Sequence, residues 1–319
     1  MKTPGKIKLA NIPTPIEEIT FENKKLLIKR DDLTGIELSG NKVRKLEYLL
    51  MQAKKEKADT IFTCGGEQSN HARATAIAAA KLGMKSKLFL WGKDNSSADG
   101  NLFIDKFAGA EISFLDKRNY SSVNEIMYEE REALLHLGKR VYVIPEGGST
   151  TLGMWGYVDF VTELSKQINL KKIKGICVAA GTGGTAAGLL VGAALRNFRL
   201  KIYAVNVLYS KDVIEQKIKN LAEGCKLDFN LKCKIDFKNL KILDGYSYEG
   251  YKNIDDSKVK LISSFARSTG IILDPAYTGK AFKAYYEKFL EMGKGKQVIF
   301  LHTGGLFGVF GKRKKYLAV

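Results

Sequence analysis

A lysine two residues past a glycine, at the head of a periodic helix, can supply a nucleophilic amine. In Ser39-Gly40-Asn41-Lys42-Val43-Arg44-Lys45-Leu46-Glu47-Tyr48-Leu49 the residues Lys42, Leu46, Leu49 and Ala53 fall at i, i+4, i+7 and i+11, so Lys42 shares the apolar face and points inward. Burial and the positive end of the helix dipole both disfavour its cationic form, and a depressed pKa is what Schiff-base chemistry requires. Lys45 flanks the same stripe and brings a second positive charge.

Two further segments supply partners for an anion. The run Lys174 to Ala180 reads as a buried strand, and Gly181-Thr182-Gly183-Gly184-Thr185 turns from it into a helix over 186–198. Gly-rich backbone at a helix start cradles phosphate. Gly181, Gly183 and Ala186 also fit a loose dinucleotide pattern, but the next strand, Lys201 to Val207, ends without the acidic residue a dinucleotide ribose needs. A single phosphate monoester suits the loop better. In Thr63-Cys64-Gly65-Gly66-Glu67-Gln68-Ser69-Asn70-His71, a short strand leads into an Ala-rich helix over 72–82. Ser69, Asn70 and the free amides there can cap the helix or bind a carboxylate and a phenolic oxygen.

The elements that must position these groups alternate. Strand-like runs at 59–63, 86–90, 111–114, 141–144, 174–180, 201–207 and 297–301 are separated by helical stretches, which predicts an α/β protein with mostly parallel sheets flanked by helices. No internal repeat stands out, and Lys226 to Lys241 reads as an inserted surface excursion. The 319 residues are 45% hydrophobic and 27% charged, ordinary for a folded chain and unlike a disordered one. No run approaches a membrane span, and Met1-Lys2-Thr3-Pro4-Gly5 lacks the apolar stretch of a signal peptide, so a cytoplasmic protein is expected. Cysteines 64, 177, 225 and 233 and three histidines show no metal or disulfide spacing. The net charge of +18 comes from lysines spread along the chain without an aromatic platform, which argues against nucleic-acid binding.

Taken together, these segments resemble the pyridoxal-phosphate enzymes of the tryptophan synthase beta-like fold (fold type II). Within it they resemble the branch holding D-cysteine desulfhydrase and 1-aminocyclopropane-1-carboxylate (ACC) deaminase. The likeness runs from Ile12-Pro13-Thr14-Pro15 and Lys29-Arg30-Asp31-Asp32-Leu33 through the motifs above and Pro145-Glu146-Gly147-Gly148-Ser149. It ends at Asp274-Pro275-Ala276-Tyr277-Thr278-Gly279-Lys280 and His302-Thr303-Gly304-Gly305. The resemblance implies a two-domain homodimer, with a smaller domain over 47–149 and a larger one over 1–46 and 150–319.

It further implies that Lys42 links to pyridoxal 5'-phosphate, that Lys45 and the residues Gly181, Thr182, Gly183, Gly184 and Thr185 hold the phosphate, and that Asn70 meets the phenolic oxygen. Ser69, the amides of Asn70 and His71, and Thr303 would bind the substrate. Tyr277 and Tyr251 match the two active-site tyrosines, with Tyr246 and Tyr248 as rivals for the second place. ACC deaminases typically carry a glutamate after the first tyrosine. Here Thr278 is a neutral partner for the ring nitrogen, expected to donate or share a hydrogen bond with it, which favours expulsion of a β-substituent and a D-cysteine desulfhydrase activity over ring opening. Glu67, Glu146, Thr150 and Trp155 depart from the family pattern and are expected to line or border the pocket.

Overall fold

The computed structural model describes residues 3–95, 97–251 and 253–318; Met1 and Lys2 of the quoted N-terminus lie outside them. Two sheets organise the chain. The first has six strands: β1 (Ile16–Phe21), β2 (Lys24–Arg30), β7 (Gly175–Ala180), β8 (Lys201–Asn206), β9 (Leu240–Leu243) and β10 (Val298–His302), in the order β1-β2-β10-β7-β8-β9. The second has four: β3 (Thr60–Gly66), β4 (Lys85–Trp91), β5 (Glu111–Leu115) and β6 (Val141–Ile144), in the order β5-β4-β3-β6. All pairings are parallel except β1 with β2. The seven strands expected from the sequence are present. The hairpin β1–β2 and the edge strand β9 were not foreseen.

The reading of Lys226 to Lys241 as a surface excursion is corrected. Leu231 and Leu240 are buried in the main core, and Leu240 starts the strand that pairs with β8. Alternating polar residues concealed this, because an edge strand presents only one face to the core.

Five helices matter for the site: α1 (Asn41–Lys55), α2 (Asn70–Lys81), α3 (Trp155–Gln167), α4 (Gly184–Leu195) and α5 (Thr278–Tyr285). One face of α1, through Val43, Leu46, Leu49, Leu50 and Ala53, packs with Ile61, Ala74 and Ala78 on the four-stranded side. Towards α3, Arg44 enters a buried polar network. Its guanidinium clamps both oxygens of Asp31 at 2.8 Å and reaches Glu163 at 2.7 Å. Lys29 donates to Glu163 at 2.6 Å, and Tyr157 donates to Asp31 at 2.6 Å. Two carboxylates therefore answer two cations, as buried charges require. The helix that carries Lys42 is thus gripped from both sheets.

Candidate active site

The start of α1 is fixed to the end of β10. Gly40 has φ 101°, and a Cβ there would stand 2.8 Å from the Thr303 carbonyl oxygen, which accepts the Asn41 N–H at 3.0 Å. Only glycine tolerates both the positive φ and that close approach. Lys42 follows in the first turn. As a residue it is partly buried, but its amine is enclosed, and loss of solvation lowers its pKa to about 8, opposed by the charge of Glu146.

A cleft opens between the carboxyl end of β7 and α1, lined by Lys42, Lys45, Asn70, Tyr277, Thr303 and the loop Gly181–Thr185. Lys45 is buried, donates to the Gly147 carbonyl at 3.2 Å and to Ser149 Oγ at 3.1 Å, and has no carboxylate partner among the described residues. Burial and then the charge of Lys42 push its pKa well down. A Cβ on Gly184 would lie 2.6 Å from Ser149 Oγ and 2.7 Å from Lys45 Nζ, so the backbone and the amine meet there with nothing between them. A desolvated amine without an acid, facing the free amides at the start of α4, matches the needs of a phosphate dianion, whose charge would favour the amine's protonated form.

On the far side of Lys42, Thr182 and Tyr277 lies a chamber of about 300 Å³ whose wall includes Ser69, His71, Tyr120, Glu146, Tyr209 and Tyr251. Ser69 caps α2, its Oγ accepting the Ala72 N–H at 3.2 Å, and still faces the chamber. The His71 ring contacts Thr63 Oγ1 at 2.9 Å; that hydroxyl donates to the Ile144 carbonyl, which leaves the ring Nε2–H as donor. Burial, with Lys42 and Lys45 nearby, keeps the imidazole neutral by lowering its pKa. Tyr277 donates to Tyr251 across 3.2 Å, the rings lying edge to face. Burial raises both phenols, Tyr251 to about 12, while the bond from Tyr277 lowers Tyr251 in part.

The rival tyrosines stand elsewhere, Tyr246 bonded to Glu287 and Tyr248 exposed and bonded to Asp255. Asn70 lines the cleft, its Oδ1 held by the buried Asn101, which Arg73 holds in turn at 3.0 Å. Sequence reasoning missed Asn101, Tyr120 and Tyr209. The position of Tyr209 just past β8 was the available signal, since ligands gather at the carboxyl ends of parallel strands.

Thr303 stands in the cleft with the Gly181–Thr185 loop. Three expectations change. Trp155 does not border the pocket: it is fully buried in the main core, edge-on to Phe229 at 5.1 Å. Thr150 likewise lines neither cavity, its hydroxyl accepting the Gly153 N–H at 2.9 Å. The Thr278 hydroxyl donates to Asp274 Oδ1 at 2.6 Å and accepts the Asp274 N–H at 2.7 Å. Donation from Thr278 to a ring nitrogen therefore requires its hydrogen to leave Asp274. Glu67 lines a third cavity beyond Tyr251, of about 290 Å³.

Two mostly parallel sheets with an enclosed lysine and a glycine-rich loop at a helix start between them fit an enzyme that works with a phosphate-bearing aldehyde cofactor. Residues 7–304 match the family model described as pyridoxal-phosphate dependent enzyme, and the chain belongs to that family, in its tryptophan synthase beta-like fold type. It is 39% identical over 315 residues to a Thermotoga maritima protein named as a candidate ACC deaminase, covering 97% of this chain and 99% of that one. An Arabidopsis thaliana protein named bifunctional D-cysteine desulfhydrase/ACC deaminase, mitochondrial, is 37% identical over 322 residues, 95% of this chain and 79% of that one. The crystal structure of an ACC deaminase homologue superposes with a TM-score of 0.90 at 36% identity, covering 99% of this chain and 96% of that one. A hydrogen sulfide-producing enzyme of Fusobacterium nucleatum, at 17% identity and a TM-score of 0.65 over 92% and 95% of the two chains, shares the fold.

Proposed function

We propose that the protein is a pyridoxal-phosphate-dependent lyase that carries out α,β-elimination on D-cysteine, releasing pyruvate, ammonia and hydrogen sulfide. The convergence of the Lys42 amine, Ser69 and the Tyr251–Tyr277 pair on one chamber of about 300 Å³ carries this reading, because that volume suits a small amino acid. Lys45 and the Gly181–Thr185 loop would hold the cofactor's phosphate, Lys42 its aldehyde carbon, and Asn70 its phenolic oxygen. When bound, pyridoxal phosphate supplies an electron sink for charge developing at the substrate Cα.

The chain's own residues do the rest. Ser69 and the amides at the start of α2 orient the substrate carboxylate. The Lys42 amine, shifted toward its neutral form by burial, accepts the α proton. Tyr277 donates to Tyr251, so the hydroxyl hydrogen of Tyr251 remains available to the departing group.

A second reading, ACC ring opening to 2-oxobutyrate and ammonia, is favoured by the names of several relatives. The lack of a carboxylate at position 278 supports elimination, since breaking a carbon–carbon bond asks more of the ring than expelling a thiolate. A turnover screen with D-cysteine, L-cysteine, D-serine and ACC decides between them. Pyruvate and sulfide from D-cysteine are expected, and efficient 2-oxobutyrate formation from ACC with little sulfide would establish the second reading instead.

Cofactor retention tests the cradle separately. Gly184→Ala places a methyl against the Lys45 amine and should displace it, weakening cofactor binding by about 10- to 150-fold, the worth of one charged hydrogen bond. Dialysis followed by the residual yellow absorbance reads this directly, and unchanged retention would remove Lys45 from the phosphate site.

A further inference from the structure

The chamber holds an acid that the proposed elimination of a thiol does not use. Glu146 lies just beyond β6, with Tyr120 donating to one oxygen at 2.9 Å and Tyr209 to the other at 3.3 Å. A carboxylate has about four lone-pair sites, so the two phenols fix its plane and leave room for further donors. Burial first, with Cys64 and then Glu146 behind it for Tyr120 and Glu146 for Tyr209, holds both phenols above the ordinary tyrosine range, so they remain donors. Among the described residues no cation reaches ion-pair distance of Glu146. The cations on the chamber wall are Lys42 and the exposed Lys117, and His71 is neutral. A partly buried carboxylate braced in this way calls for a positively charged hydrogen-bond donor.

We propose that Glu146 makes the chamber selective for an amino acid bearing an ammonium group on Cβ, a 2,3-diaminopropionate, over one bearing a thiol. This rests on the α,β-elimination chemistry proposed above and makes D-cysteine the slower of two substrates. A thiolate leaving beside Glu146 meets a like charge, a sulfonate on Cβ meets one already in the ground state, and a cyclopropane ring offers the carboxylate no donor. An ammonium held against Glu146 stays protonated, and only in that form does nitrogen leave well, as neutral ammonia. The α C–H bond breaks with its proton going to the Lys42 amine, and the Cβ–N bond breaks with its electron pair departing on nitrogen. Hydrolysis of the released enamine consumes one water, so one doubly protonated substrate and one water give pyruvate and two ammonium ions.

Pyruvate release by the holoenzyme from each enantiomer of 2,3-diaminopropionate and from D-cysteine tests the assignment, alongside Glu146→Gln. The wild type should favour one diaminopropionate enantiomer over D-cysteine by at least about tenfold in kcat/KM, and Glu146→Gln should lower that ratio by about 10- to 100-fold, chiefly through KM. As a readout without turnover, calorimetry in a Lys42→Ala background should show diaminopropionate binding more tightly than D-serine, with the difference lost on adding Glu146→Gln. Turnover of D-cysteine alone, or a ratio that Glu146→Gln leaves unchanged, overturns the proposal while the elimination reading stands. Pyruvate from none of these substrates overturns both.

Discussion

Lys42→Met is expected to stop turnover and, at the same time, to make the cofactor-free protein more stable at neutral pH. The first effect follows from removing both the cofactor's anchor and the base for the α proton, and a loss of at least about 10²- to 10⁴-fold is expected from the base alone. Borohydride reduction of the wild-type holoenzyme, followed by peptide mass mapping, should place the cofactor on Lys42; a label on another lysine would refute the assignment. The second effect follows from burial. With the folded amine at about 8 and the ordinary value at 10.5, the unfolded chain binds the proton more tightly throughout that interval. Stability of the cofactor-free protein should therefore rise as pH climbs from about 8 to 10.5, and below 8 the buried charge carries its full cost, on the order of 3 kcal/mol. Lys42→Met removes that cost and flattens the rise. Denaturant titrations of both proteins at pH 7 and pH 10 measure it, and identical pH slopes would show that the amine is solvated.

The two tyrosines should separate when each is changed to Phe. Tyr251 presents the available hydroxyl hydrogen, so Tyr251→Phe is expected to reduce kcat by about 10²- to 10⁴-fold with the cofactor retained. Tyr277→Phe withdraws the bond that eases proton loss from Tyr251, and its cost should be smaller, about tenfold. Steady-state kinetics on the two variants, with Tyr246→Phe as a control outside the chamber, decide the order. Equal losses would make the pair a single unit, and full activity in Tyr251→Phe would transfer proton donation elsewhere.

The parts of this site that were legible in the sequence are those in which backbone chemistry writes a local signature. Gly40 ahead of Lys42, the Gly181–Thr185 loop and the Ser69 cap each need particular residues within a few positions, whatever the rest of the chain does. Parallel strands buried on both faces also read clearly, as β7 does in Gly175–Ala180. What escaped depends on contacts across long separations. Tyr120 and Tyr209 meet Glu146 from residues 26 and 63 positions away, and nothing local marks them as partners. Trp155 was misplaced because a departure from a family pattern says nothing about which way a side chain in the first turn of α3 faces. The hairpin β1–β2 was lost because its apolar residues, Ile16, Ile19 and Phe21 and the short run Leu26 to Ile28, are broken up by charged ones.

The cleft and the chamber share only Lys42, Gly181, Thr182 and Tyr277. Glu146, Tyr120 and Tyr209 line only the chamber and can change without touching the groups that face the phosphate, whereas Gly147, also on its wall, carries the carbonyl that holds Lys45. Such a partition lets a lineage drift from one leaving group to another through single substitutions, each intermediate still loaded and folded. Directed evolution of this scaffold should accordingly find new substrates by mutating Glu146, Tyr120 and Tyr209, with Gly147, Ser149, the start of α1 and the loop into α4 held constant.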